Sequence, residues 1–155
     1  MTWFHRRPKP GSNAEEDIQK ELQKRGRDKA KLDYMETQKG FRFDPHKDGV
    51  AGTRVDFYWH PPFFYAVYID GIQVHSSLHR QTKDELINEA LERRGINWDR
   101  FRYKAPLRKA RKLEICDNII KRLSQLMSDK APRLNHSKTI TLSKKSQYRT
   151  MLDKF

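Results

Sequence analysis

At 155 residues the chain is long enough for one domain with extended ends, and its 33 Lys and Arg against 20 Asp and Glu leave a formal net charge of +13. That surplus calls for a polyanionic partner and says nothing of fold. The single cysteine, Cys116, rules out an intramolecular disulfide framework. The opening MTWFHRRPKPGS lacks the apolar stretch of a secretory signal, and no run nears the roughly 18 apolar residues of a membrane span. The expectation is an intracellular protein, cytoplasmic or nucleoid-associated in a bacterium or phage host, with no membrane partner.

Residues 1–11, with Pro8, Pro10 and Gly11 among basic residues, read as a flexible basic arm. Ser12 or Asn13 caps a helix from Ala14, with Glu15, Glu16 and Asp17 at its positive end and Ile18 and Leu22 as its apolar stripe. Gly26 ends it. Lys29–Tyr34 either extends the helix or begins another turn. Three strands follow: Gly40–Phe43, then after the turn-rich Asp44–Gly49 the segment Arg54–Trp59, then Phe63–Ile69. The last is almost continuously apolar, so it should be central and covered on both faces. Thr82, with Glu85 three residues on, has the capping-box pattern and should open a helix closed by Gly95. Ile96, Trp98 and Phe101 suggest a fourth short strand, its alternation broken at Asp99. Pro106 opens a long basic helix whose Leu113, Cys116, Ile120, Leu123 and Met127 form a seam, able to pack on the domain or on another chain. Residues 128–155 read as a basic tail. The order describes an α/β or α+β domain over 12–127, a small mixed sheet flanked by helices with basic flexible termini.

Asp56 interrupts an apolar strand between Val55 and Phe57, where a carboxylate is costly unless something pairs with it. Asp70 ends the most hydrophobic strand, followed by Gly71 and His75. Carboxylates at the ends of adjacent strands can converge on one Mg²⁺, a cation of hard oxygen ligands, and a nearby histidine can deprotonate a water. The plainer alternative is a buried ion pair of Asp56 with Arg54 or another base, and a simple Asp-Gly turn. Glu15 falls on the inward face of the first helix, either completing a metal site or serving the helix dipole.

Val55-Asp56-Phe57-Tyr58, then Ala66-Val67-Tyr68-Ile69-Asp70-Gly71, then His75 resembles the core of the very-short-patch repair (Vsr-like) endonucleases, within the restriction-endonuclease-like superfamily, and of phage homing endonucleases with that core. Lys83-Asp84, with Leu91 and Gly95 behind it, is similar to a later Arg-Asp element of that family. The resemblance covers residues 12–103. It implies a restriction-endonuclease-like fold and a Mg²⁺-dependent DNA endonuclease. Asp56 would be the principal metal ligand, with the Ile69 carbonyl as a candidate second, and Asp70 would be either a further ligand or an acid/base. His75 would be the general base or would help position water, Asp84 would orient it, and Glu15 would match an acidic residue of the family's first helix.

The chain also departs from that pattern. One cysteine cannot build the family's structural zinc site, no aromatic wedge matches, and positions 68 and 70 are Tyr and Asp where the superfamily's acidic-x-Lys element has its lysine. A rival of another class is therefore a catalytically inactive nuclease-fold subunit that binds DNA or RNA and scaffolds a larger complex; a third is a small RNA-associated factor. For the last helix, Arg108, Lys109, Arg111, Lys112, Lys121 and Arg122 are expected opposite the apolar seam, either along a phosphate backbone or simply solvated. A homodimer or a larger nucleoprotein complex would suit so short a domain.

Overall fold

The structure is a computed structural model that describes residues 13–72 and 78–129. The basic arm, the tail beyond 129 and the segment 73–77, His75 included, lie outside the described residues. Helix α1 spans Asn13–Arg25, strand β1 Met35–Arg42, the short α2 Pro45–Asp48, β2 Gly52–Trp59 and β3 Tyr65–Gly71. Helix α3 spans Leu78–Arg93, β4 Asn97–Tyr103 and α4 Lys109–Ser128. The sheet is mixed, in the order β1-β2-β3-β4, with β1, β2 and β3 antiparallel in succession and β4 parallel to β3. Helix α3 is the crossover that a parallel pair requires. The fold is thus α+β, a small mixed sheet flanked by helices.

Each face of the sheet has its own core. Tyr65, Val67 and Ile69 of β3, with Phe57 and Trp59 of β2, pack with Ile18 and Leu22 of α1 and Ile115, Ile119 and Leu123 of α4. Ala66, Tyr68, Tyr58 and Val55 pack on the other side with Ile87, Ala90 and Leu91 of α3 and Trp98 of β4. Strand β3 is buried on both faces, as its unbroken apolar run predicts. Burying one such side chain contributes on the order of 2 kcal/mol, so the two cores together hold the sheet between its helices.

Several element boundaries differ from expectation, each for a local reason. Strand β1 begins at Met35 rather than Gly40, because the polar Glu36-Thr37-Gln38-Lys39 stretch belongs to an edge strand with few residues to bury. Helix α3 starts at Leu78, so Thr82 is internal; its hydroxyl donates to the Leu78 carbonyl, 3.0 Å away, instead of capping. Helix α4 starts at Lys109, since Pro106 lies in the bend before it. Asp44–Gly49 contains a helical turn whose cap is the Asp44 carboxylate, accepting from the His46 amide at 2.9 Å. Of the two readings of Lys29–Tyr34, the structure has the further turn, closed by the short 3-10 segment Leu32–Tyr34, and not a continuation of α1.

Of the expected seam of α4, Cys116 and Leu123 are fully buried and Ile120 packs partly buried against the same core; Ile115 and Ile119 complete the inward face, and Met127 is exposed. That face packs on the domain itself. Burial pushes the Cys116 thiol up to about 11, which keeps it an inert packing group.

Candidate active site

One irregularity positions the candidate site. Met35 packs with the α1/α4 core and Phe41 with the α3 core, although an even spacing along a strand should keep both on one face. Val55 and Phe57 divide between the two cores in the same way. Both switches bracket Gln38 and Asp56, and the register is the same on either side, Thr37 opposite Phe57 and Lys39 opposite Val55. The two strands therefore turn over together. Gln38 takes the strain with φ 55°, a left-handed backbone that costs a non-glycine residue.

The neighbouring ladder opens at the same level. Strands β2 and β3 pair from Trp59–Tyr65 to Phe57–Val67, and no pairing follows towards Gly52. The Ile69 amide there donates to Asp56 Oδ2 at 2.7 Å in place of a backbone carbonyl. Asp56 thus sits in the gap between two strands, its carboxylate held by the sheet it interrupts.

Around it the Gln38 amide donates to Asp56 Oδ1 at 3.3 Å and to Glu15 Oε2 at 2.8 Å. Glu15 is buried on the inward face of α1, 8 % exposed. Burial raises the Asp56 pKa to about 7; the Ile69 amide works against that shift, and the charge and hydrogen bond of Glu15 reinforce it. Two coupled, sequestered carboxyls are hard oxygen donors of the kind Mg²⁺ takes, and a field that suppresses ionisation of Asp56 is one a cation would relieve. Glu15 and Asp56 are the residues here that could hold a divalent ion. Among the described residues no group of three or more His, Cys, Asp or Glu side chains is placed to hold an ion without further ligands such as water.

Asp70 has different partners. It follows Ile69, so it turns to the α3 side, where Arg100 Nη1 approaches its Oδ2 at 3.4 Å. The Arg100 guanidinium stacks 3.9 Å over the Tyr68 ring, donates to Asn88 at 3.0 Å and comes within 3.9 Å of Asp84. Asp70 and Asp84 are thereby gathered round one arginine, apart from the Glu15–Gln38–Asp56 group. Ile69 contributes its amide to Asp56. The Asp56–Arg54 pair considered as the plainer alternative is not what the structure builds, since Arg54 is exposed and the Asp56 oxygens go to Ile69 and Gln38.

Only part of the basic set of α4 lines its outer side. Arg111 donates to the Arg102 carbonyl at 3.0 and 2.8 Å, and Arg122 turns inward to Asp99 at 3.7 Å. Asp99 in turn accepts the Tyr65 hydroxyl at 2.7 Å. Arg108 and Lys109 are exposed where the helix begins, Lys112 is half-buried one turn on, and Lys121 is exposed on the outer side. At helical spacing Arg108, Arg111, Lys112 and Arg122 fall on the same side as Ile115 and Ile119.

Sequence reasoning missed Gln38 and Arg100. A glutamine in a polar edge strand carries no signal, but an arginine between Trp98 and Phe101, where the strand packs on its neighbours, is the kind of buried charge that needs acids beside it. No protein-family model, curated protein or solved structure matches the chain. No helix among the described residues is long and apolar enough to cross a membrane.

Proposed function

We propose that the protein is a Mg²⁺-dependent DNA endonuclease of the Vsr-like type, hydrolysing phosphodiester bonds. The observation that supports this most is the Asp56 carboxyl, held between diverging strands, coupled to Glu15 and poised near pH 7 with a pKa of about 7. Such perturbed acids concentrate at functional sites.

Asp56 and Glu15 would hold the ion. Mg²⁺ bound there would polarise a phosphoryl oxygen and acidify a water. Asp56 is fixed for that task by the Ile69 amide, so its carboxylate cannot swing away. Gln38 sets the spacing of the two acids through one amide nitrogen. His75, five residues after Asp70, would accept the proton of the attacking water. Arg100 gathers Asp70, in β3, and Asp84, in α3, around one guanidinium.

Nicking of supercoiled plasmid in Mg²⁺, abolished by EDTA and by Asp56→Asn, is the direct test. The inactive-scaffold reading draws on the engagement of Asp70 by Arg100 and on the Tyr and Asp at positions 68 and 70. A folded protein that binds DNA but cuts no form of it in Mg²⁺ or Mn²⁺ would favour that reading.

A further inference from the structure

Residues 102–112 contain six basic side chains, Arg102, Lys104, Arg108, Lys109, Arg111 and Lys112, and no acidic one. They form the elbow from the end of β4 into α4. Arg102, Lys104, Arg108 and Lys109 are exposed, and Arg111 pins the elbow by donating to the Arg102 carbonyl.

This charge runs against the helix it adjoins. Helix α1 obeys the macrodipole, with Glu15 and Glu16 in its first turn and Lys24 and Arg25 in its last. Helix α4 has no acidic residue in its first turn and opens on Lys109, Arg111 and Lys112. Arg111 is matched by Glu114 at 3.0 Å, but exposed cations at the positive end of a helix repel one another and the dipole, so folding gives little reason for Arg108 and Lys109. An external polyanion would supply the missing countercharge.

The elbow also lies beside the candidate site. Arg102 stands opposite Asp70 and Tyr103 opposite Gly71 in the parallel β3–β4 register. The Ile72 amide donates to the Tyr103 carbonyl at 2.8 Å. Because β2 runs antiparallel to β3, the same end of the sheet holds the open gap where Ile69 meets Asp56.

We infer that the β4–α4 elbow, not the length of α4, is the surface on which the phosphate backbone of duplex DNA lies. Lys104, Arg108 and Lys109 are its principal contacts. The placement deepens the nuclease reading, since it would lay one strand beside the Asp56 gap. Binding by the elbow does not itself require cleavage.

The test measures binding of the full chain to a short fluorescent DNA duplex by anisotropy over a salt series. Neutralising Lys104, Arg108 and Lys109 to Gln should cut the slope of log affinity against log salt by about 2–3 and weaken binding at least about tenfold at moderate salt. Neutralising Lys24, Lys29 and Lys31, at the opposite end of the sheet, removes equal charge and should change the slope by less than about 1. A third variant, Lys109→Glu, suits the helix dipole, so it should melt no lower than wild type while still losing affinity. That loss cannot be misfolding. Equal losses in both triple variants, an unchanged slope in the elbow triple, or no duplex binding by the wild type would overturn the inference. Elbow-dependent binding without any cleavage leaves the surface standing and removes the hydrolytic reading instead.

Discussion

Two carboxylates of this domain are withdrawn from water and pushed in opposite directions. Asp48, buried in α2, receives Arg93 at 2.7 Å and Arg94 at 3.0 Å from the end of α3 and the backbone amide of Asp44 at 3.0 Å. The hydrogen bonds of Arg94 and Arg93 hold its carboxyl well below the usual range. Asp56 receives an amide from its neighbouring strand, half of a glutamine and another acid, and its pKa rises to about 7. Burial acts the same way on both; the partners decide the sign. A carboxylate given guanidinium groups is a clamp, here tying α2 to α3. One given a second carboxyl is an incomplete electrostatic arrangement, and proteins keep those where a cation or a reaction completes them.

Cleavage should separate the two most strongly. Asp56→Asn should lower plasmid nicking at least about 100-fold at fixed Mg²⁺, whereas Asp48→Asn, assayed below its melting temperature, should stay within about twofold of wild type. Equal nicking by wild type and Asp56→Asn would remove Asp56 from the chemistry. Next is metal affinity. If the ion displaces the proton of Asp56, Mn²⁺ binding measured calorimetrically should strengthen about tenfold per unit as pH rises towards 7, then level off. Affinity that is flat from pH 5.5 to 8 would place the ion elsewhere.

Stability should move in opposite directions. Asp56 has a folded pKa raised above its unfolded value, so its contribution is present at low pH and lost as pH rises through about 7. In EDTA at pH 8, Asp56→Asn should therefore raise Tm by roughly 5 °C, a gain that shrinks as pH falls towards 4. Asp48 has the reverse sign: its contribution is present above its unfolded pKa and lost as pH falls into the acid range. Asp48→Asn should lower Tm at neutral pH by several degrees, with the deficit narrowing in acid. A shared direction for the two variants would erase the contrast. The smallest expected effect is at Gln38, where Gly should be more stable than Ala by about 0.5–1 kcal/mol, since only Gly accepts φ 55° without strain. Chemical denaturation resolves that difference.

The fold was legible where burial is periodic. Phe63–Ile69 announced a strand covered on both faces, and Gly26 and Gly95 marked helix ends, each now found at positive φ. Glu15 was legible as an inward acid, because its place relative to Ile18 and Leu22 follows from helix geometry alone. The grouping of site residues was not. Alternation assigns Asp56 to a face only if the strand is regular, and here β1 and β2 turn over together at that residue. The partner Gln38 is carried by a polar edge strand that no hydrophobic pattern reveals. On α4 the apolar spacing identified Cys116, Ile120 and Leu123 but not Ile115 and Ile119, which widen the packed face towards Arg111 and Arg122 and their inward contacts.

The packing of α1 on α4 has a consequence for how the chain is made. Ile18 and Leu22 are fully buried against residues that include Ile119 and Leu123, so the first and last described helices complete one core. During synthesis at about 5–20 residues per second, the apolar stripe of α1 waits on the order of 5–20 s for the roughly hundred residues that separate it from its partner. The three antiparallel strands can meander together meanwhile, but one face of their sheet stays uncovered until α4 emerges. A stop or frameshift before about residue 115 would therefore leave a sheet with one bare face rather than a smaller domain, and such a product is a substrate for chaperones and proteases.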